Sequence, residues 1–255
     1  MKKIILTILI GTVVLTICGA VNATMLIPAA DQAQERAKAP EKSSVITETE
    51  GGEWGLDRVD FIHYAKPSSP AKPSKTETCY KLMGVKWDVF PVNYTINPTN
   101  PYNLNSDFVV SQINTSAETW DIAISKELFN DSFSINNSIQ YGVQDYKNAI
   151  AFGNYPQDGV IAVTSVWYTR VGRRIVEFDI LFNTDFVWGD GETTPSLMDL
   201  QNIATHELGH AVGLSDIYST SCSYVTMYGY SSEGDTEKRS LEQPDITGLQ
   251  RMYGN

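Results

Sequence analysis

The stretch Thr205-His206-Glu207-Leu208-Gly209-His210-Ala211-Val212-Gly213-Leu214-Ser215-Asp216 constrains the rest of the chain more than any other. On a helix, His206 and His210 stand four residues apart, one above the other on a single face. That spacing lets two imidazole nitrogens grip one metal ion. Glu207, offset by one position, sits beside the pair, where it can take a proton from a water. Gly213 follows His210 by three residues, and a glycine there can end the helix at positive φ and turn the chain back. Asp216 then brings a carboxylate. Two imidazoles, a carboxylate and an open position form the donor set of a catalytic zinc site.

A bare His-Glu-x-x-His also arises on solvated helices, where it means nothing. Three features weigh against that here. Gly213 and Asp216 fall seven and ten residues past His206. Met227 follows in the tract Val225-Thr226-Met227-Tyr228-Gly229-Tyr230. Of the three histidines in the chain, two are in this stretch. The third, His63, lies far upstream in a biased tract and reads as an ordinary loop histidine.

This arrangement resembles the metzincin signature, in which His-Glu-x-x-His-x-x-Gly-x-x-ligand is followed by a methionine turn. The tail from Leu241 to Gly254 resembles the closing helix of matrixin catalytic domains, and the likeness extends upstream, more weakly, to about Gly84. Two departures stand out. Matrixins usually carry a third histidine where this chain has Asp216, a variant similar to the snapalysin type. The interval from Asp216 to Met227 is also longer than matrixins normally show.

The resemblance implies an α+β fold: a twisted, mostly parallel sheet, with an active-site helix and a C-terminal helix flanking a cleft. Patterning alone gives only one α+β domain. It implies a zinc metalloendopeptidase in which His206, His210 and Asp216 hold one zinc, Glu207 is the general base and Met227 supports the ligands from below. An edge strand over the cleft, here Gly159–Thr164 with Ile161, Ala162 and Val163, is expected to pair with a peptide substrate by β-augmentation. Tyr228 and Tyr230 are expected to wall the pocket for the residue after the cleaved bond. Asp158, Asn183 and Asp185 partly match matrixin calcium loops, with Phe186 where an acid is expected, so Ca2+ is a further candidate. The histidines of the matrixin structural zinc site are missing. Two other classes stay open: a zinc hydrolase of a non-peptide bond, and a catalytically silent, zinc-containing cell-surface binding domain. The intact Glu207 speaks against silence.

The chain has 255 residues and a net charge of −11, which argues against a nucleic-acid partner because phosphates select Lys and Arg. A protein or peptide substrate and a monomeric state are expected. Met1-Lys2-Lys3 followed by the apolar run to Ala20 reads as a secretory signal ending at residue 23, which implies a secreted, extracellular protein. An uncleaved membrane anchor is the alternative. Residues 24–78 read as a pro-region or Pro-rich linker, largely disordered, with the repeat Ala65-Lys66-Pro67-Ser68 and Ala71-Lys72-Pro73-Ser74. Within it Trp54, Phe61, Ile62 and Tyr64 form an apolar patch able to dock on the catalytic domain, placed at 79–255. The Pro-Arg-Cys-Gly motif by which matrixin pro-regions block zinc is absent. Cys79 and Cys222, the cysteines left after signal removal, suggest one disulfide. The rival reading makes Cys79 a zinc-blocking thiolate.

Inside the domain, Val89–Ile96 is predicted as a strand and Asp107–Asp121 as a helix, with Phe108, Ile113, Ala117 and Trp120 on its apolar stripe. Short strands are predicted within Phe133–Val143 and Ala149–Phe152, then a hairpin from Val160–Thr169 and Arg174–Phe182. Ser196 and Asp199 have capping-box spacing ahead of the metal-site helix. A last helix is predicted over Leu241–Tyr253.

Overall fold

The computed structural model describes residues 55–66 and 78–255, and the backbone alone of Ser44–Thr47. The signal reading at 1–23 and most of the tract 24–78 lie outside the described residues. In chain order the elements are β1 (Ser44–Thr47), β2 (Leu56–Ala65), β3 (Thr95–Asn97), α1 (Ser106–Asp121), β4 (Ser134–Ile135), β5 (Ala149–Gly153), β6 (Val160–Thr169), β7 (Ile175–Asn183), β8 (Trp188–Gly189), β9 (Met198–Asp199), α2 (Leu200–Ala211), β10 (Tyr230–Ser231) and α3 (Gln243–Tyr253).

The sheet runs β1-β2-β6-β7-β5-β3-β4, with β10 added beside β2. The pairs β3–β4, β3–β5 and β5–β7 are parallel, and β6 turns back antiparallel to β7. Residues 160–168 of β6 are all buried, and so is most of β7. A strand covered on both faces needs a continuous apolar run rather than alternation, and Val160-Ile161-Ala162-Val163 supplies one. On α1, Val109, Ile113, Ala117 and Trp120 are buried at helical spacing and pack into one core with β6, β7 and α2. Asn105 caps this helix by accepting from the amides of Asp107 (2.7 Å) and Phe108 (3.4 Å).

Several sequence expectations shift. Val89–Ile96 does not form one strand. Only Thr95–Asn97 joins the sheet, and Val92 makes an isolated bridge to Phe129. The Phe90–Pro91 bond is cis, and a proline cannot donate to a ladder. The larger difference is upstream. Leu56–Ala65, expected within a disordered or linker tract, is a ten-residue strand with Leu56, Val59, Phe61, Ile62 and His63 buried. Its apolar residues Phe61, Ile62 and Tyr64 were visible, but the flanking Pro-, Lys- and Ser-rich composition masked the strand they belong to.

Two buried carboxylates on β7 fix the loop before β5. Asp179 accepts from the amides of Gly142 (2.7 Å) and Ala149 (2.9 Å), and Glu177 from those of Asp145 and Tyr146. Burial raises both carboxyls above their ordinary range, Asp179 to about 7, against the lowering effect of those amides.

The entry to the domain is tied down covalently and by backbone. Cys79 and Cys222 form a disulfide across 143 residues, which disposes of the free-thiolate reading. Just after it, Met83 donates its amide to Gly213 O (2.9 Å) and Ser215 donates to Lys81 O (2.8 Å). This two-bond clamp brackets the turn that leads from the metal-site helix to Asp216.

Candidate metal centre

Helix α2 begins about one turn later than the Ser196 capping box suggested. Asp199 itself is the cap, its Oδ1 accepting from the amide of Asn202 at 2.8 Å. Its carboxylate also receives Gly191 N (2.8 Å) and the guanidinium of Arg239. The far end of the helix is fully accounted for. Leu208 O, Gly209 O and His210 O accept from the amides of Val212, Leu214 and Gly213, while Ala211 O takes the Trp87 indole at 2.8 Å and Val212 O the Tyr253 hydroxyl at 2.8 Å. Gly213 has φ +100°, and a Cβ there would stand 2.5 Å from the backbone oxygen of Val85. Only glycine fits both conditions.

That turn brings the three expected ligands together. His206 Nε2 and His210 Nε2 lie 3.1 Å apart, and Asp216 Oδ1 lies 3.2 and 3.4 Å from them. Zinc–nitrogen and zinc–oxygen bonds of about 2.0–2.1 Å in a tetrahedron place neighbouring donors about 3.3 Å apart. The donor triangle therefore fits one zinc ion. The outer nitrogens agree: His206 Nδ1 faces Thr226 O at 2.7 Å and His210 Nδ1 faces Leu214 O at 2.9 Å. A ring that donates through Nδ1 leaves Nε2 as a lone-pair ligand, and the carbonyl fixes its orientation. Burial would raise the carboxyl of Asp216, but the charge of His210 and hydrogen bonds from both rings outweigh it and hold it well below the usual range. The two rings compete for one proton beside that carboxylate. Burial, with Lys238 adding to it, takes His206 down to about 4, whereas Asp216 lifts His210 against its burial. A divalent cation suits the same charge arrangement with both rings neutral.

Glu207 is completely buried beside the triangle. Its Oε2 accepts from the Thr164 hydroxyl of β6 at 2.5 Å, and its Oε1 lies 3.0 Å from His63 Nδ1. Burial pushes its carboxyl up to about 7, partly opposed by His210 and by the Thr164 bond.

Met227 lies beneath α2, 1% exposed, with its sulfur against Gly209. Asp245, at the start of α3, accepts from the amides of Thr226 (3.0 Å) and Met227 (3.2 Å), and so holds the carbonyl that orients His206.

Two expectations are corrected. His63 is no loop histidine: it sits on β2, 1% exposed, its ring centroid 4.0 Å from that of His206. The unbroken apolar and aromatic run Phe61-Ile62-His63-Tyr64 was the signal for it. Nor is β6 an open edge. Ala162 pairs with His63 and Val163 with Ile62, so Ile161, Ala162 and Val163 are wholly buried. Tyr228 and Tyr230 meet edge to face, and Tyr230 pairs with Tyr64.

Sequence reasoning also passed over Thr164, Asp245 and Lys238. The Lys238 amine is buried among Tyr228 O, Tyr230 O (3.0 Å), Ser231 Oγ (2.9 Å) and His63 Nε2 (3.4 Å). No local pattern announces a buried lysine. Asp158 and Asp185 belong to none of the His, Cys, Asp or Glu groupings close enough to share an ion among the described residues, and the Asn183 side chain accepts from Tyr155 N and Asp185 N and donates to Val160 O and Asp185 Oδ2.

Among known proteins, the model of the family described as Matrixin matches residues 86–254. The hatching enzyme of Paracentrotus lividus is 28% identical over 167 residues, covering 65% of this chain and 26% of that protein. Matrix metalloproteinase-25 of Homo sapiens is 32% identical over 110 residues, 43% of this chain and 19% of the other. Matrilysin of Rattus norvegicus is 38% identical over 76 residues, 30% of this chain and 27% of the other. The matches thus span about a quarter or less of these relatives' length.

Proposed function

The chain belongs to the matrixin family, and on that premise we propose that it is a secreted zinc-dependent endopeptidase with Glu207 as general base. The observation that carries this reading is the donor triangle of His206, His210 and Asp216 with Glu207 beside it. Zinc held there supplies Lewis acidity toward a peptide carbonyl and a water acidified to near-neutral pKa. The chain's own residues do the rest. Glu207 takes the proton of the attacking water and returns it to the leaving amine, the role its place beside the donor triangle allows. Thr164 keeps that carboxylate aimed by bonding the oxygen not in use. Asp216 contributes a negative charge in place of a third neutral ring, so the site is less positive by about one unit and more of the activation falls on Glu207.

Peptide substrate is held in this reading by main-chain pairing along Ile161, Ala162 and Val163, with Tyr228 and Tyr230 walling the next pocket. Residues 79–255 form the catalytic domain, 24–78 a pro-region and 1–23 a signal peptide that leads to secretion. Calcium at Asp158 and Asp185 is a separate proposal, read from the change in Tm on adding Ca2+. The deciding experiment is hydrolysis of casein and a quenched-peptide panel by the zinc-loaded chain before and after trypsin nicking at Lys75, with and without chelator. Cleavage abolished by chelator and restored by zinc is expected. Zinc bound stoichiometrically, with no peptide cut in any form of the chain, would refute the proposal.

A further inference from the structure

Strand β2 lies where a peptide substrate is proposed to lie, and this inference rests on that reading of the groove. Leu56–Tyr64 pairs antiparallel with β6 over almost its whole length, and Tyr64–Ala65 pairs parallel with β10 on the opposite side. Ala65 and Lys66 extend the grip by donating their amides to Gly159 O (2.8 Å) and Ser231 O (2.9 Å). The strand is thus held between the two backbone rails that flank the metal centre.

Its side chains reach the chemistry. Phe61 stacks on the His210 ring, centroids 4.1 Å apart and planes 8° from parallel. His63, two residues on and on the same face, fits between His206, Glu207 and Lys238. Its Nδ1 takes up Glu207 Oε1, the oxygen that Thr164 leaves over. His206, Glu207 and His210 are at most 1% exposed, so no peptide reaches them while β2 is in place. The strand is also separable from the body around it. It lies outside the segment shared with the family, which starts at residue 86. It joins the domain through the Pro-rich tract at 67–77, ahead of the disulfide that anchors the domain's entry.

We propose that Leu56–Ala65 is a built-in peptide ligand of the groove, held in the path of a substrate, with His63 in the pocket beside Glu207 as the plug that keeps the intact chain silent. The device differs from a thiolate on the metal: it covers the base and the strand-pairing edge together. Release of the strand opens both. The strand also describes what the freed groove accepts: an extended segment with an aromatic side chain against His210. Two residues later comes a side chain able to share hydrogen bonds with Glu207 and Lys238.

The test uses the zinc-loaded full chain and its Val59→Asp/Ile62→Asp variant, which places two carboxylates at buried positions of β2. Hydrogen exchange of the β6 amides and hydrolysis of quenched peptides are read side by side. The intact chain is expected to protect β6 and to cut peptide at background rate. In the variant both rates rise on the order of tenfold or more. A synthetic peptide of residues 55–66 added to the variant restores protection of β6 and inhibits competitively, and the same peptide with His63→Ala does so more weakly. An intact chain that cuts peptide as fast as the variant while β6 stays protected overturns the inference and leaves the peptidase reading standing. Exchange and peptide binding as expected, with no hydrolysis, leave the inference standing and remove the peptidase reading. If the variant loses zinc and the protection of α2, it has unfolded, and the decision passes to wild-type chain nicked at Lys75. There, uptake of a labelled 55–66 peptide at β6 supports the proposal, and its absence overturns it.

Discussion

Gly209 sits in the middle of helix α2, where intrinsic propensity favours its replacement. Alanine in a helix interior is more favourable than glycine by about 0.8–1.0 kcal/mol. The structure predicts the opposite outcome for Gly209→Ala. A Cβ there would stand 2.3 Å from Met227 Sδ and 2.7 Å from Trp120 Cζ2. The Met227 thioether is flexible and can yield at small cost, although it is only 1% exposed. Trp120 cannot yield. It is fully buried, and its indole nitrogen donates to Thr205 O at 2.8 Å, so swinging the ring strands a buried donor. Overpacking of this kind costs about 1–3 kcal/mol, and adding the disturbed indole bond places the loss at the upper end. After the propensity gain is subtracted, a net destabilisation of about 1–2 kcal/mol remains. Urea unfolding followed by tryptophan fluorescence measures it as a lower midpoint at unchanged slope. The pairwise origin is tested by repeating the change in a Met227→Ala background, where a coupling of more than about 0.5 kcal/mol is expected. A Gly209→Ala chain as stable as the parent, or strictly additive with Met227→Ala, would refute the argument that this glycine exists to admit the methionine and the indole.

Glu207→Gln should keep its zinc and lose peptide hydrolysis by about 10²–10⁴-fold, the range of general-base catalysis, checked by metal content beside kcat/KM. Asp216→Ala should lose most of its bound zinc while His63→Ala retains it; normal zinc in the first and depleted zinc in the second would make His63 the ligand. Removing the disulfide by Cys79→Ser/Cys222→Ser should destabilise the fold by at most about 4–5 kcal/mol, the chain-entropy figure for so long a loop, measured by urea unfolding. Asp179 has its carboxyl raised by burial to about 7, so its contribution is whole below the unfolded value of about 4 and is lost as pH rises through 7. Glu177 is shifted in the same direction. The stability difference between the parent and Asp179→Asn should therefore shrink between about pH 4 and 7, read by urea unfolding of both chains across that range.

The metal centre was legible because its chemistry is written locally. His206, Glu207 and His210 depend only on helical spacing, and Gly213 and Asp216 on one turn. The hairpin of β6 and β7 was legible for a similar reason, each strand being a β-rich run with the break Arg170-Val171-Gly172-Arg173 between them. Strand β2 was not, since ten residues of mixed apolar and charged character inside a Pro- and Lys-rich tract carry no local sign that a distant edge is waiting for them. Lys238 and Asp245 were hidden for a third reason. Their partners are backbone groups brought near by loops, and backbone carbonyls leave no trace in a sequence. The cap of α2 shows the smaller error of boundary: Ser196 and Asp199 had capping-box spacing, yet the strand pairing of Met198–Asp199 with Trp188–Gly189 delays the helix by a turn.

The clamp at Lys81–Met83 bears on where a gene encoding the catalytic body can be cut. Those three residues look like a dispensable leader, lying upstream of the segment that the family model matches. They nevertheless supply the partners for Gly213 O and Ser215 N, the two backbone groups on either side of Leu214 in the turn that delivers Asp216. An expression boundary placed at residue 86 would keep every ligand and discard the brace that positions one of them. The smallest unit worth producing therefore starts ahead of Cys79, so that the first covalent tie and the brace beyond it travel with the helix they serve.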